Sequence, residues 1–218
     1  MLPNLDFELA FWRDGYRCVA GVDEAGRGAW AGPVVAGAVI LPVADERIAR
    51  IWTRSRLFRE IARVNDSKQL SPRVREELFE PIRAHAVTCA TGAASHEEID
   101  ALGILRASHL AMYRAIAALS PVPDALLIDA LVLPELEVPQ QGIIHGDALA
   151  LSIAAASILA KVTRDRLMCE LDATIPGYHF AQHKGYGTAA HQEALRELGP
   201  SSVHRRSYAP VRACIPSL

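Results

Sequence analysis

The chain has 218 residues, half of them hydrophobic and 22% charged, with a formal net charge of −2, the composition of an ordinary soluble globular protein with one sizeable core. No apolar run reaches the ~18 residues of a membrane span, because Ser152 and Ser157 interrupt the nearest candidate, Ala148 to Ala160, and Lys161 ends it. The N-terminus lacks a basic segment followed by an apolar one, and Cys18, Cys89, Cys169 and Cys214 are scattered without a CxxC pair; a secretory signal and a zinc site are therefore not expected, and reduced thiols in the cytoplasm are.

Residues 1 to 15 read as a surface lead-in. Tyr16 to Val22 and Val34 to Leu41, rich in Val, Ala and Ile, suit strands. The first ends in two adjacent acids, Asp23 and Glu24, followed by a small-residue turn with Gly26, Arg27, Gly28 and Gly32. Residues 46–64 carry six arginines, with Ile48, Ile51, Trp52, Leu57, Phe58, Ile61 and Val64 near helical spacing, which predicts an amphipathic helix whose basic face is either solvated or contacts phosphate. Asn65 to Pro72 is a polar turn, with Ser71 as cap and Pro72 at the first position of a helix that runs to about His85.

Ala86 to Ala93 reads as a strand. Ser95-His96-Glu97-Glu98 has capping-box spacing and opens a helical pattern towards Leu119, interrupted near Gly103. Asp124 to Leu131 is an apolar run with Asp129 inside it; a loop, Pro134 to Pro139, and a short strand, Gly142 to Ile144, follow. Gly146-Asp147 begins the longest helical pattern, to about Ala173. Its first half is small and apolar, hence buried; its second half, with Lys161, Arg164, Asp165 and Arg166, is expected to surface. Tyr178 to Thr188 reads as a loop, and Thr188 to Leu198 as a helix stopped by Gly199-Pro200. Mixed strands and helices, with helices late, indicate an α/β core with a helical and locally basic C-terminal extension, divided as residues 1–175 and 176–218.

Asp129 repeats the pattern of Asp23, an acid within an apolar stretch, whereas Asp147 alone reads as a helix cap. If Asp23, Glu24, Asp129 and Asp147 converge, each close pair repels by roughly 4 kcal/mol at ~4 Å in an effective dielectric near 20. Such a site must protonate or bind cations. Hard oxygen donors without a His or Cys cluster point to Mg²⁺ or Mn²⁺, and two ions would balance four carboxylates in phosphodiester chemistry.

The ordered set Val22-Asp23-Glu24-Ala25-Gly26-Arg27-Gly28, Asp66-Ser67-Lys68, Ile128-Asp129, Gly146-Asp147 with Ser152 to Lys161, His183-Lys184-Gly185-Tyr186-Gly187-Thr188 and His204-Arg205-Arg206-Ser207 resembles the signature of ribonuclease HII from about Val19 to Val211. The resemblance implies a ribonuclease H-like fold: a mixed five-stranded sheet flanked by helices, with a helical C-terminal part. It implies an endoribonuclease that hydrolyses the RNA strand of RNA/DNA hybrids. It also implies cutting on the 5′ side of ribonucleotides embedded in duplex DNA, leaving 3′-hydroxyl and 5′-phosphate ends. On the matching positions, Asp23, Glu24, Asp129 and Asp147 would be the catalytic, metal-binding acids. The backbone of Gly26-Arg27-Gly28 would approach the ribose 2′-hydroxyl, the group that separates RNA from DNA. Tyr186 would pack on the following deoxyribose, and Ser67 and Lys68 would meet phosphate. A monomer is expected.

Ala29-Trp30 stands where the family usually has proline and leucine, Gln69 where it has a second lysine, and His145 where it has a lysine before Gly-Asp. Ser152 and Ser157 read as packing residues of a buried helix; Lys161 and Arg164 suit phosphate ligands and solvated charges equally. His183, His191 and His204 lack a metal-ligand spacing. Two competing classes remain at this level: a nucleic-acid-binding protein that kept the fold and lost the chemistry, and another two-metal phosphoryl-transfer enzyme of the same fold, such as a nuclease acting on DNA alone.

Overall fold

Strand β1 (Val19–Ala25) pairs antiparallel with β2 (Val34–Ile40), which pairs antiparallel with β3 (Thr88–Ala94). On the other side of β1, β4 (Ala125–Asp129) and then β5 (Gln140–Ile143) add in parallel, so the mixed sheet has the order β3-β2-β1-β4-β5. This computed structural model describes residues 2–42, 45–61 and 63–215. Ala62, within the expected 46–64 helix, and residues 216–218 of the tail lie outside that set.

One face of the sheet is covered by α7 (Leu151–Thr174), which crosses β1 and β2. Its small residues explain how closely it can lie: a Cβ on Gly21 would collide with the backbone of Ser152, and one on Gly37 with the carbonyl of Ala156. Two backbones in contact leave room only for small side chains, which is why Ala154, Ala155, Ala156 and Ala160 fill this half of α7. The opposite face carries α5 (His96–Leu102) and α6 (Ile104–Ala117), joined at Gly103 as expected. Each face has its own apolar core, with Val19, Leu127 and Ile153 on one side and Val22, Ile128 and Met112 on the other. Burying each such aliphatic side chain contributes about 1.5–3 kcal/mol.

The N-terminal segment is not a surface lead-in. Residues 6–13 form α1 (Asp6–Arg13), with Leu5 and Trp12 in the core beneath α7. The 46–64 stretch is two helices, α2 (Glu46–Trp52) and α3 (Arg56–Ile61), broken at Thr53–Ser55. Ala49, Trp52, Ile61 and Val64 pack into the core, while Ile51 is 63% exposed, so the apolar periodicity holds on only part of each helix. Helix α4 (Pro72–His85) starts at Ser71, whose hydroxyl accepts the Val74 N–H. The Ser95 capping box is formed.

After α7 the chain folds back on its second half. Within the expected 178–188 loop lies a short helix, α8 (Phe180–His183), followed by α9 (Ala189–Leu198) and α10 (Ala209–Arg212). Tyr178, Phe180 and Ala194 form a smaller core with Met168 of α7 and Ala31. The expectation that the polar half of α7 surfaces fails at Arg164, which is fully buried. No helix among the described residues is long and apolar enough to cross a membrane.

Candidate active site

The sheet register places the first two acids. Pairing of β1 with β4 ends at Val22 opposite Ile128, so Asp23 and Asp129 follow side by side on the face covered by α7. Strand β1 does not end at the acids, as the sequence suggested. It continues to Ala25, paired only with β2, and leaves an open corner where β4 stops. At that corner the pleat that sends Asp23 and Glu24 to opposite faces still lets both reach one cleft of about 450 Å³.

Asp147 arrives differently. It lies in a separate 3-10 turn, Gly146–Ala148, and not on the first turn of α7. The turn is locked to β4 because the Gly146 N–H donates to Asp129 Oδ1 at 2.8 Å. The carboxyl at the N-terminus of α7 is that of Glu8 from α1, whose Oε1 accepts from the Ser152 N–H at 2.8 Å and the Ser152 hydroxyl at 2.6 Å; burial raises its pKa against these bonds. Nothing in the local sequence pairs Glu8 with Ser152; only the tertiary fold does. Ser152 is thus a partner of this buried cap, and Ser157 donates to Ser67 Oγ at 2.8 Å beneath the acids.

Carboxylate oxygens of Asp23, Asp129 and Asp147 lie within 4.8 Å of one another. Glu24 lines the same cleft but stands outside that triad; Arg27 Nη1 contacts one of its oxygens at 3.3 Å, and the other, Oε2, is buried without a partner. Burial, then the charges of Glu24 and Asp129, push the Asp23 carboxyl well above the usual carboxylate range. Burial also raises Glu24 and Asp147, against the lowering pull of Arg27 and Lys68 respectively. Lys68 Nζ sits 3.1 Å from Asp147 Oδ2, so this lysine, expected at phosphate, is one of the acids' counter-charges. An all-oxygen donor set, crowded like charges and an orphaned Glu24 oxygen fit a hard divalent cation such as Mg²⁺ or Mn²⁺.

The remaining expected residues, Gly26, Arg27, Gly28, Ser67, Lys68 and Tyr186, line the cleft too. Gly26 has φ 100°, and a Cβ there would strike the Arg164 side chain; a Cβ on Gly28 would meet nothing within 4 Å. Ala29 N–H closes the turn onto Gly26 O at 3.3 Å, a bond that proline at this position could not donate.

Two buried arginines, which the sequence did not single out as structural, hold this turn. Arg164 donates to the carbonyls of Pro33, Lys184 and Ala31 at 2.9–3.2 Å, and its guanidinium carbon lies 5.3 Å from the Tyr186 ring centre. It is therefore neither a phosphate ligand nor a solvated charge but a spacer between Gly26 and Tyr186. Arg205 donates to the carbonyls of Arg27, Gly32 and Pro33. The motif spacing contained Arg205, but only the fold shows what it touches.

The histidines form a hydrogen-bonded chain. Ser201 N–H and hydroxyl meet His204 Nδ1 at 3.0 and 2.7 Å, His204 Nε2 lies 3.0 Å from His191 Nε2, and His191 Nδ1 is 3.0 Å from Tyr186 O. One neutral assignment satisfies every link: His204 donates through Nε2 to His191, which donates through Nδ1 to the Tyr186 carbonyl.

A family model described as Ribonuclease HII matches residues 20–211. A ribonuclease HII of Dehalococcoides mccartyi is 50% identical over 211 residues, covering 97% of this chain and 95% of that one. Another from Chloroflexus aurantiacus is 50% identical over 218 residues, covering 100% and 99%. Among solved structures, the ribonuclease H2 of Pyrococcus horikoshii OT3 superposes with TM-score 0.70 at 28% identity, over 90% of this chain and 96% of that one.

Proposed function

The chain belongs to the ribonuclease HII family and is a hydrolytic endonuclease of RNA/DNA hybrids; from that premise we propose that it also cuts at single ribonucleotides embedded in duplex DNA, on their 5′ side, leaving 3′-hydroxyl and 5′-phosphate ends. The observation that carries the reading is the convergence of Asp23, Asp129 and Asp147 beside a turn whose Gly28 points no Cβ at any protein atom.

Asp23, Asp129 and Asp147, with Glu24 beside them, would hold two divalent ions, Mg²⁺ or Mn²⁺. When bound, such ions acidify a water and offset charge on the phosphate and its leaving oxygen. The protein's own residues do the rest. Lys68 holds Asp147 in place and offers its exposed ammonium edge, with Ser67, to the incoming phosphate backbone. The Gly26-Arg27-Gly28 backbone meets the ribose and accepts or donates at its 2′-hydroxyl, a contact deoxyribose cannot make. Tyr186 offers a ring face to the next sugar, backed by Arg164 and by Lys161, whose Nζ lies 5.5 Å from the ring centre. Together these contacts favour a ribonucleotide followed by a deoxyribonucleotide.

The test is incubation of a duplex carrying one ribonucleotide with Mg²⁺ or with Mn²⁺ and mapping of the cut. A single cut 5′ of the ribonucleotide with a 5′-phosphate product is expected. A cut on the 3′ side, or none beside intact hybrid cleavage, overturns the proposal.

A further inference from the structure

Trp30 stands in direct sequence continuity with the glycine turn, only two residues after Gly28, and touches the Tyr186 loop on both sides of Tyr186. Its N–H donates to Gly185 O at 2.8 Å. Its indole ring occupies the space over Gly187, where any Cβ would collide with it. The same ring packs on His191, with centres 5.5 Å apart and planes tilted by 36°. His191 in turn donates to the Tyr186 carbonyl and is held from behind by His204 and Ser201. The Trp30 carbonyl accepts from the Arg205 N–H at 2.8 Å, and Arg205 also holds Arg27. His191 and His204 are fully buried or nearly so, so this assembly has little freedom to yield.

We propose that Trp30, backed by the His191–His204 pair, is a positioning residue that fixes the spacing between the glycine turn and Tyr186, and through it the preference for a ribonucleotide followed by a deoxyribonucleotide. The inference rests on the reading of the glycine turn and Tyr186 given above. Its physical basis is a rigid wedge: a flat indole fills a gap bounded by a glycine backbone and an imidazole, and a smaller side chain would leave that gap open. Closing it would draw the Tyr186 loop towards Trp30 and disturb the packing of the Tyr186 ring against Arg164, whose guanidinium carbon lies 5.3 Å from the ring centre. The Trp30 ring itself is not among the groups lining the acid-bearing cleft, so its effect should fall on selection of the junction and not on hydrolysis as such.

The experiment compares kcat and KM on two substrates, a duplex with one embedded ribonucleotide and a continuous RNA/DNA hybrid, for Trp30→Ala, Trp30→Phe, Gly187→Ala and Tyr186→Ala. Displacement of a positioning group by about 1 Å can cost up to about a hundredfold, so Trp30→Ala, which empties the gap, should lower the single-ribonucleotide to hybrid ratio of kcat/KM about tenfold. kcat on the hybrid should stay within about twofold, and Trp30→Phe, which keeps a flat ring, should recover most of the ratio. Gly187→Ala pushes the indole from the other side and should also lower the ratio; if Trp30→Ala does not fold, that variant decides. An unchanged ratio in the Trp30 and Gly187 variants, with a lowered one in Tyr186→Ala, overturns the positioning role and leaves the Tyr186 reading intact. An unchanged ratio in Tyr186→Ala overturns that reading, and the inference with it.

Discussion

Arg205 donates a hydrogen bond to the carbonyl oxygen of Arg27 at 2.9 Å across 178 positions of sequence, and the Tyr208 hydroxyl donates to the same oxygen. The turn that would test the sugar is thus held by residues from the far end of the chain. Among the described residues no acid forms an ion pair with the Arg205 guanidinium; backbone carbonyls of Arg27, Gly32 and Pro33 accept from it, and burial lowers its pKa from the ordinary arginine value, against the raising pull of Tyr208 and, more weakly, Asp100.

Arg205→Lys should therefore be far from conservative. A single ammonium cannot reach three carbonyls spread around a planar fork; the Arg27 and Pro33 carbonyls keep Tyr208 and Arg164 as donors, whereas the Gly32 carbonyl loses its guanidinium bond, and a buried carbonyl left unpaired costs about 1–3 kcal/mol. A loss of about 1–3 kcal/mol in urea unfolding is expected, with weaker cleavage of embedded ribonucleotides. A change within about 0.5 kcal/mol, the level of an ordinary surface substitution, would show that Arg205 is not the anchor of the turn.

The two outer glycines of that turn should separate stability from function. Gly26→Ala forces a side chain onto φ 100° and into Arg164, so it should be poorly folded or lower Tm by several degrees. Gly28→Ala meets no protein atom within 4 Å and should leave Tm nearly unchanged. Its methyl group stands where a sugar would approach, so cleavage at a single ribonucleotide should fall on the order of tenfold or more, as for misplacement of a reacting group. Circular-dichroism melting together with single-turnover rates distinguishes the two. Equal Tm losses in both variants would contradict the assigned geometry.

Much of this fold was legible from local sequence. The Val, Ala and Ile content around Val34 to Ile40, the Ser71-Pro72 cap and the Ser95 capping box are short-range signals, and the corresponding elements are present. Local reasoning failed where a partner is distant. Glu8 looks like a surface acid until α1 places it on Ser152, 144 positions away. Arg164 looks like a solvated helix charge until Ala31, Pro33 and Lys184 bring it their carbonyls. Asp147 looks like the first-turn acid of a long helix, yet its turn is separated from α7 by Leu149 and Ala150 and tied to Asp129. At the site, Asp23 and Asp129 could be singled out as acids in apolar runs, but their adjacency is a property of parallel register, which a single strand does not encode.

The histidine chain predicts a pH signature in stability. Burial holds His191 and His204 down to about 4, against an ordinary value of 6.5. Between those values the unfolded chain binds more protons than the folded one, so these groups' contribution is intact above about pH 6.5 and is lost as the pH falls towards 4. The raised acids Asp23, Glu24 and Asp147 act in the opposite sense, so comparison with a variant isolates the histidines. His204→Gln should remove about one proton, or about 1.4 kcal/mol per pH unit, from the slope of unfolding free energy between pH 4 and 6.5. Parallel slopes in the two proteins would show that His204 does not stay neutral in the fold.

Asp129→Asn bears most directly on the site, because Asp129 accepts from Gly146 and shares the triad with Asp23 and Asp147. The amide oxygen can still accept the Gly146 N–H, so the fold should hold. Removing one negative charge from a crowded cluster relieves repulsion of roughly 4 kcal/mol per close pair at ~4 Å in an effective dielectric near 20, before solvent screening, so without divalent ions the variant should melt at or above the parent temperature. The same change removes a charged oxygen donor, so the rise in Tm on adding Mg²⁺ or Mn²⁺ should shrink or vanish. Cleavage should fall by a factor on the order of 10³ or more, while binding of an uncut hybrid, measured by fluorescence anisotropy, should persist. Retained turnover, or an undiminished metal-dependent Tm shift, would place the catalytic centre elsewhere than at these three acids.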